Sequence, residues 1–132
     1  MSAVESRFHQ NTRLALENAP HPVDLVLHRG YSAPCLAALV TAGKSGYFDF
    51  CYVDGSHQAS DVLADAVLSF MLLRVGGIVV FDDYLWAERL PYGTDPLRYP
   101  KPAIDAFTNL YARKVGFIRG PVDQVYLQKT SD

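Results

Sequence analysis

Apolar positions along the 132 residues recur at helical spacing in some stretches and run without interruption in others, and each change of period marks an element boundary. Over 2–19, Val4, Phe8, Ala15 and Ala19 form a thin apolar stripe against Arg7, Asn11 and Glu17, predicting a helix that Pro20 and Pro22 end. Residues 23–28, Val-Asp-Leu-Val-Leu-His, predict a strand, and Gly30 turns the chain. Ser32 is placed to N-cap the next helix, Pro34 fits its first turn, and Gly43 stops it after about Ala42. A second strand spans 48–53 and runs directly into Asp54-Gly55-Ser56-His57. Residues 58–73 give the clearest helix: Leu63, Ala66, Val67, Phe70 and Leu73 recur on one face, Asp61, Asp65 and Ser69 on another, and Gly76-Gly77 closes it. Residues 78–81 are apolar on both faces, as a central parallel strand requires, and lead into Asp82-Asp83.

A long loop follows from Tyr84 to about Lys101, with Pro91, Gly93, Pro96, Pro100 and the aromatics Tyr84, Trp86, Tyr92 and Tyr99. Loops this long in a compact domain usually serve function or move. A helix over 102–113 turns Ile104, Phe107 and Leu110 inward, and a hairpin of 115–119 and 124–129 closes around Gly120-Pro121. Helix, three strand–helix pairs and two closing strands predict one α/β domain of Rossmann-like class. Its sheet is expected to hold about five strands, mainly parallel, with helices on both faces and a C-terminal antiparallel hairpin.

Composition fits a folded domain: 49% hydrophobic, 20% charged, net charge −2. The twelve Lys and Arg residues are scattered, which leaves no electrostatic footprint for nucleic acid or an anionic membrane. No apolar run reaches the length of a membrane span, and the N-terminus lacks the apolar core of a signal peptide, so the protein is expected to be cytoplasmic. Cys35 and Cys51 lie in apolar segments without metal-ligand spacing and read as reduced core thiols, a single disulfide being the lesser alternative.

Candidate chemistry centres on Asp54, Asp82 and Asp83, which follow two apolar strands joined by one helix. In a right-handed βαβ unit those strand ends share an edge, the edge where open α/β sheets bind ligands. Three carboxylates meeting there repel one another, and a hard divalent cation such as Mg²⁺ or Ca²⁺ relieves that repulsion. His57 is near enough to act as a base or to orient a ligand. Each aspartate alone has a plainer explanation, since Asp-Gly is a turn pair and Asp caps helices; the set on two strand ends favours a site. An aspartate-nucleophile phosphatase is excluded because Tyr52 stands where the nucleophile belongs, and an NTPase because no phosphate-binding glycine-lysine loop occurs.

The run from Phe48 through Val53-Asp54-Gly55-Ser56-His57, then Asp61-Val62-Leu63, Gly76-Gly77 and Phe81-Asp82-Asp83-Tyr84, resembles the second half of class I S-adenosylmethionine-dependent methyltransferases. The subgroup is that of metal-dependent O-methyltransferases related to the macrocin and catechol enzymes. The resemblance extends to Glu5, Phe8 and Asn11 and to Pro102-Ala103-Ile104. It implies that Asp54, Asp82 and Asp83 hold a divalent cation, that Asp54 and His57 take part in catalysis, and that Tyr84 and Trp86 cover a small-molecule acceptor. It also implies S-adenosylmethionine as methyl donor, but no strand followed by a glycine-rich turn precedes residue 23. The fold is therefore expected to be a truncated methyltransferase domain with donor binding lost or impaired. The alternative is a non-catalytic binding module. Without the first two strands a sheet edge is exposed, so either 23–28 moves beside 48–53 or two chains pair as a homodimer.

Overall fold

The computed structural model describes residues 3–132. The N-terminal stripe forms helix α1 (Ala3–Glu17), the expected start at Ser2 lying outside the described residues. None of its side chains is buried, because a stripe this thin has too little apolar surface to hold the helix on the body. Glu5 forms an ion pair with Arg29 at 2.8 Å. Helix α2 (Ser32–Thr41) follows, with Tyr31 rather than Ser32 at its N-cap. Gly43 takes φ +77° and its N–H returns to Val40 O at 3.0 Å, the expected stop.

Strand β1 (Phe48–Val53) leads to helix α3 (Ala59–Leu72) and strand β2 (Leu73–Phe81). Gly76-Gly77 does not close α3, as expected from the sequence, but lies inside β2. The ladder jumps from Phe48↔Leu73 to Phe50↔Ile78, so part of β2 bulges out, and Gly76 at φ +83° permits that path. Helix α4 (Lys101–Leu110), strand β3 (Val115–Ile118) and strand β4 (Val125–Lys129) complete the chain.

The sheet differs from expectation in count and direction. It has four strands in the order β1-β2-β4-β3; β1 and β2 run parallel, while β4 runs antiparallel to both neighbours. It is therefore mixed rather than mainly parallel. The missing fifth strand is 23–28, which among the described residues has no assigned secondary structure and joins no ladder. Alternation in a segment specifies a face, not a neighbour, and no strand stands beside this one.

Helices were expected on both faces, yet those that pack form one layer. Helix α3 lies on β1 and β2, between α2 and α4. The core lies beneath it: Val62, Ala66 and Phe70 of α3 and Ile104 and Phe107 of α4 meet Val79, Phe81 and Leu127 of the sheet. Phe107 sits 5.6 Å from Phe81 and 4.4 Å from Tyr111, ring centre to ring centre. On the opposite face Phe50 and Tyr52 remain exposed.

Candidate functional site

Parallel pairing of β1 with β2 puts Val53 directly opposite Phe81, so Asp54 and Asp82 leave the sheet side by side. The Asp82 N–H donates to Val53 O at 3.0 Å and extends the ladder by one bond. Asp54, His57, Asp82 and Asp83 all line one crevice of about 10 Å³, on the scale of a single water or ion. The tertiary structure thus brings together the four residues singled out by the sequence. Both Asp82 oxygens and Asp83 Oδ2 are already engaged, however, and among the described residues no three acidic, His or Cys side chains stand as a metal-ready group.

Asp82 is held by three donors. Tyr52 donates its hydroxyl to Oδ2 at 2.5 Å, and the Asp83 N–H and Gln124 side chain donate to Oδ1 at 2.9 and 3.1 Å. Gln124 also donates to the Tyr52 oxygen at 2.8 Å and accepts from Tyr126 at 2.8 Å. The Tyr52 bond, then the Asp83 N–H, draws the Asp82 carboxyl below the usual range despite some burial. Conversely, the bond to Asp82, then burial, pushes the Tyr52 phenol up to about 12.

Asp83 adopts φ +54°, a left-handed conformation that Asp tolerates better than most residues. Trp86 N–H closes the turn on Asp83 O at 3.0 Å. Asp83 Oδ2 lies 2.9 Å from His57 Nε2, and Trp86 stacks on the His57 ring at 4.0 Å. The His57 imidazole is fixed by a carboxylate on one edge and an indole on its face.

The two loop aromatics part company. Trp86 joins the crevice through His57. Tyr84 instead anchors the loop: its hydroxyl donates to Asp105 at 2.8 Å and accepts from Lys101 at 2.5 Å, while Lys101 bonds Asp105 at 2.7 Å. Those contacts hold the Asp105 carboxyl down against burial and raise the Lys101 ammonium.

Sequence reasoning missed Tyr52 and Gln124 as partners of Asp82. Tyr52 could have been found, since period-two alternation puts it on the same face as Val80 and Tyr126, next to a strand end. Gln124 carried no signal, because it reaches Asp82 from 42 residues away. The two cysteines are free; burial pushes the Cys51 thiol up.

The chain belongs to the methyltransferase-domain family, whose pattern its residues 2–84 match. It is 35% identical over 69 residues to a probable caffeoyl-CoA O-methyltransferase 3 of Dictyostelium discoideum, covering 52% of this chain and 26% of that protein. A solved structure from Corynebacterium glutamicum superposes with TM-score 0.62 at 20% identity, covering 97% of this chain and 58% of the other. The MycE methyltransferase of the mycinamycin biosynthetic pathway, solved with Mg, SAH and mycinamycin VI, superposes with TM-score 0.56 at 20% identity, over 80% of this chain and 31% of that one. The chain thus spans about a quarter of its curated relative and shares an α/β methyltransferase-like fold with the solved proteins. Among the described residues no helix is long and apolar enough to cross a membrane.

Proposed function

We propose that this chain is the acceptor-side part of an O-methyltransferase-type domain: it carries a divalent-cation site at Asp54, Asp82 and Asp83, and its own residues do not suffice to hold S-adenosylmethionine. The observation that supports this is the meeting of those carboxylates and His57 around one crevice at the carboxyl ends of a parallel strand pair. The donor set suits a hard cation, since it offers carboxylate oxygens, and the crevice is of the right scale. Because Tyr52, Gln124 and His57 now engage Asp82 and Asp83, cation binding competes with those hydrogen bonds. Asp54, Asp82 and Asp83 would hold the cation, and the chemistry it would supply is a lowered pKa for a nearby substrate hydroxyl. His57, stacked on Trp86, stands beside the site to take a proton from the acceptor, and Trp86 walls the acceptor's place. The free thiols of Cys35 and Cys51 support a cytoplasmic setting.

Calorimetric titration with S-adenosylmethionine, with and without Mg²⁺, tests this reading. The expected result is cation binding with no donor binding at millimolar ligand. Micromolar donor affinity, about −8 kcal/mol, would show that the cofactor pocket is complete. Absence of both would leave a non-catalytic binding module, a reading that the open groove beside β1 favours.

A further inference from the structure

Among the described residues two parts of this chain lack partners, and each has what the other lacks. Strand β1 is an edge, paired with β2 on one side only. Beside it opens a groove of about 390 Å³, walled by Leu36 and Leu39 of α2 on one side and by Phe48, Phe50 and Val53 of β1 on the other. Asp65 lines this groove although it is only 3% exposed. Its Oδ2 accepts from the Ser32 hydroxyl at 2.7 Å, while Oδ1 is buried with no hydrogen-bond partner. A buried acceptor left unpaired costs roughly 1–3 kcal/mol, and more when charged, so the groove awaits an occupant that brings a donor. Burial already pushes the Asp65 carboxyl up.

The second part is the segment 23–28. It lies in no helix or strand, and among the described residues it makes no backbone–backbone hydrogen bond. Val23, Leu25, Val26 and Leu27 are between 51% and 74% exposed. In an extended chain Val23, Leu25 and Leu27 fall on one side, an apolar row suited to a groove with apolar walls. The backbone N–H groups of the segment are the donors that the β1 edge and Asp65 lack. Within one chain only His28 reaches the groove, because the segment leads into α2, the wall opposite β1.

We propose that the segment 23–28 of a second copy enters the groove as a strand beside β1, and that the exchange is reciprocal. Each chain gives one segment and receives one, so the contact closes on itself as a two-fold dimer. The edge gains main-chain hydrogen bonds, the apolar row is buried, and Asp65 Oδ1 obtains a donor. None of this depends on methyl transfer or on a bound cation.

Sedimentation velocity over a range of concentrations, paired with hydrogen exchange, tests the proposal on the full chain. A species of twice 14.6 kDa is expected at high concentration, with protection of the 48–53 amides rising in step with the dimer. Leu25→Pro removes one donor and one apolar anchor and is expected to leave a monomer with unchanged far-ultraviolet circular dichroism, because Leu25 is exposed and outside the core. A wild-type chain that stays monomeric up to its solubility limit would overturn the proposal. So would protection of 48–53 that does not vary with concentration, since the chain's own segment would then fill the groove. A Leu25→Pro dimer with the same protection would place the interface elsewhere. The exchange measurement on wild type decides the matter even if the variant folds poorly.

Discussion

Lys129 is 3% exposed, and replacing it tests how α3 is tied to the sheet. Along β4 the alternation of Val125, Leu127 and Lys129 directs all three toward the core. The Lys129 ammonium donates to Phe70 O at 3.1 Å and Leu73 O at 2.9 Å, and sits 4.4 Å over the Phe70 ring. Those carbonyls end α3, where backbone acceptors lack intrahelical partners and the helix dipole favours a cation. Lys129→Met keeps the apolar stem and removes the ammonium. Two hydrogen bonds from a charged donor are worth ~1.5–3 kcal/mol each, a gross loss of about 3–6 kcal/mol. Removing a buried charge relieves a desolvation cost of several kcal/mol, which offsets part of that loss. A net destabilisation of about 2 kcal/mol is expected, a large share of the ~5–15 kcal/mol typical of a domain. Urea unfolding at neutral pH, followed by circular dichroism, measures it. The control is Asp132→Asn: Asp132 pairs with Lys129 at 2.8 Å but has an 85% exposed side chain, so its loss should cost at most about 1 kcal/mol. A Lys129→Met protein as stable as wild type would refute the helix-end role. Equal losses in both variants would instead assign the stability to the ion pair.

Three further outcomes follow from the site and the groove. Asp82→Asn should abolish binding of Mn²⁺ read by calorimetry, whereas Tyr52→Phe, which removes a competing hydrogen bond to Asp82, should tighten it by up to about tenfold; equal affinities in both variants would reduce the aspartates to turn residues. The Tyr52 phenol should titrate near 12 in an ultraviolet spectrum and this late step should vanish in Tyr52→Phe. A raised phenol pKa means that the contact stabilises fully below about pH 10 and is lost as pH rises through about 12. Asp82 works the other way: its depressed pKa gives stability above about pH 3.9 that is lost as pH falls further. For Asp65 the pKa is raised by burial, so its ionisation costs stability as pH rises. At dilutions that keep chains apart, the stability of Asp65→Asn relative to wild type should therefore grow between pH 4 and pH 7, and a pH-independent difference would contradict the buried charge.

Much of the chain was legible because local chemistry and tertiary environment agree. The stretch containing Leu63, Ala66, Val67 and Phe70 formed the helix its spacing required, and α3 became the centre of the core. The apolar run 78–81 proved central to the sheet, and the terminal hairpin formed within a residue of its expected bounds. Asp54, Asp82 and Asp83 could be placed together from sequence, since a strand–helix–strand unit carries its two strand ends to one edge. Among the expectations that failed, Gly76-Gly77 lies inside β2 instead of closing α3, Leu110 is exposed rather than inward, and 23–28 stays unpaired because its pairing depends on a neighbour that no local pattern specifies.

By itself the sequence determined most of the helices and strands and which acidic residues follow strand ends, because these depend on near neighbours and on period. The tertiary structure decided the rest. It set the strand order, directed Tyr52 and Gln124 onto Asp82, turned Tyr84 away from the crevice toward Asp105, and buried Lys129 and Asp65. Each of these is a contact between residues far apart in the chain, and its energy comes from desolvation and hydrogen-bond geometry that exist only after the elements have packed.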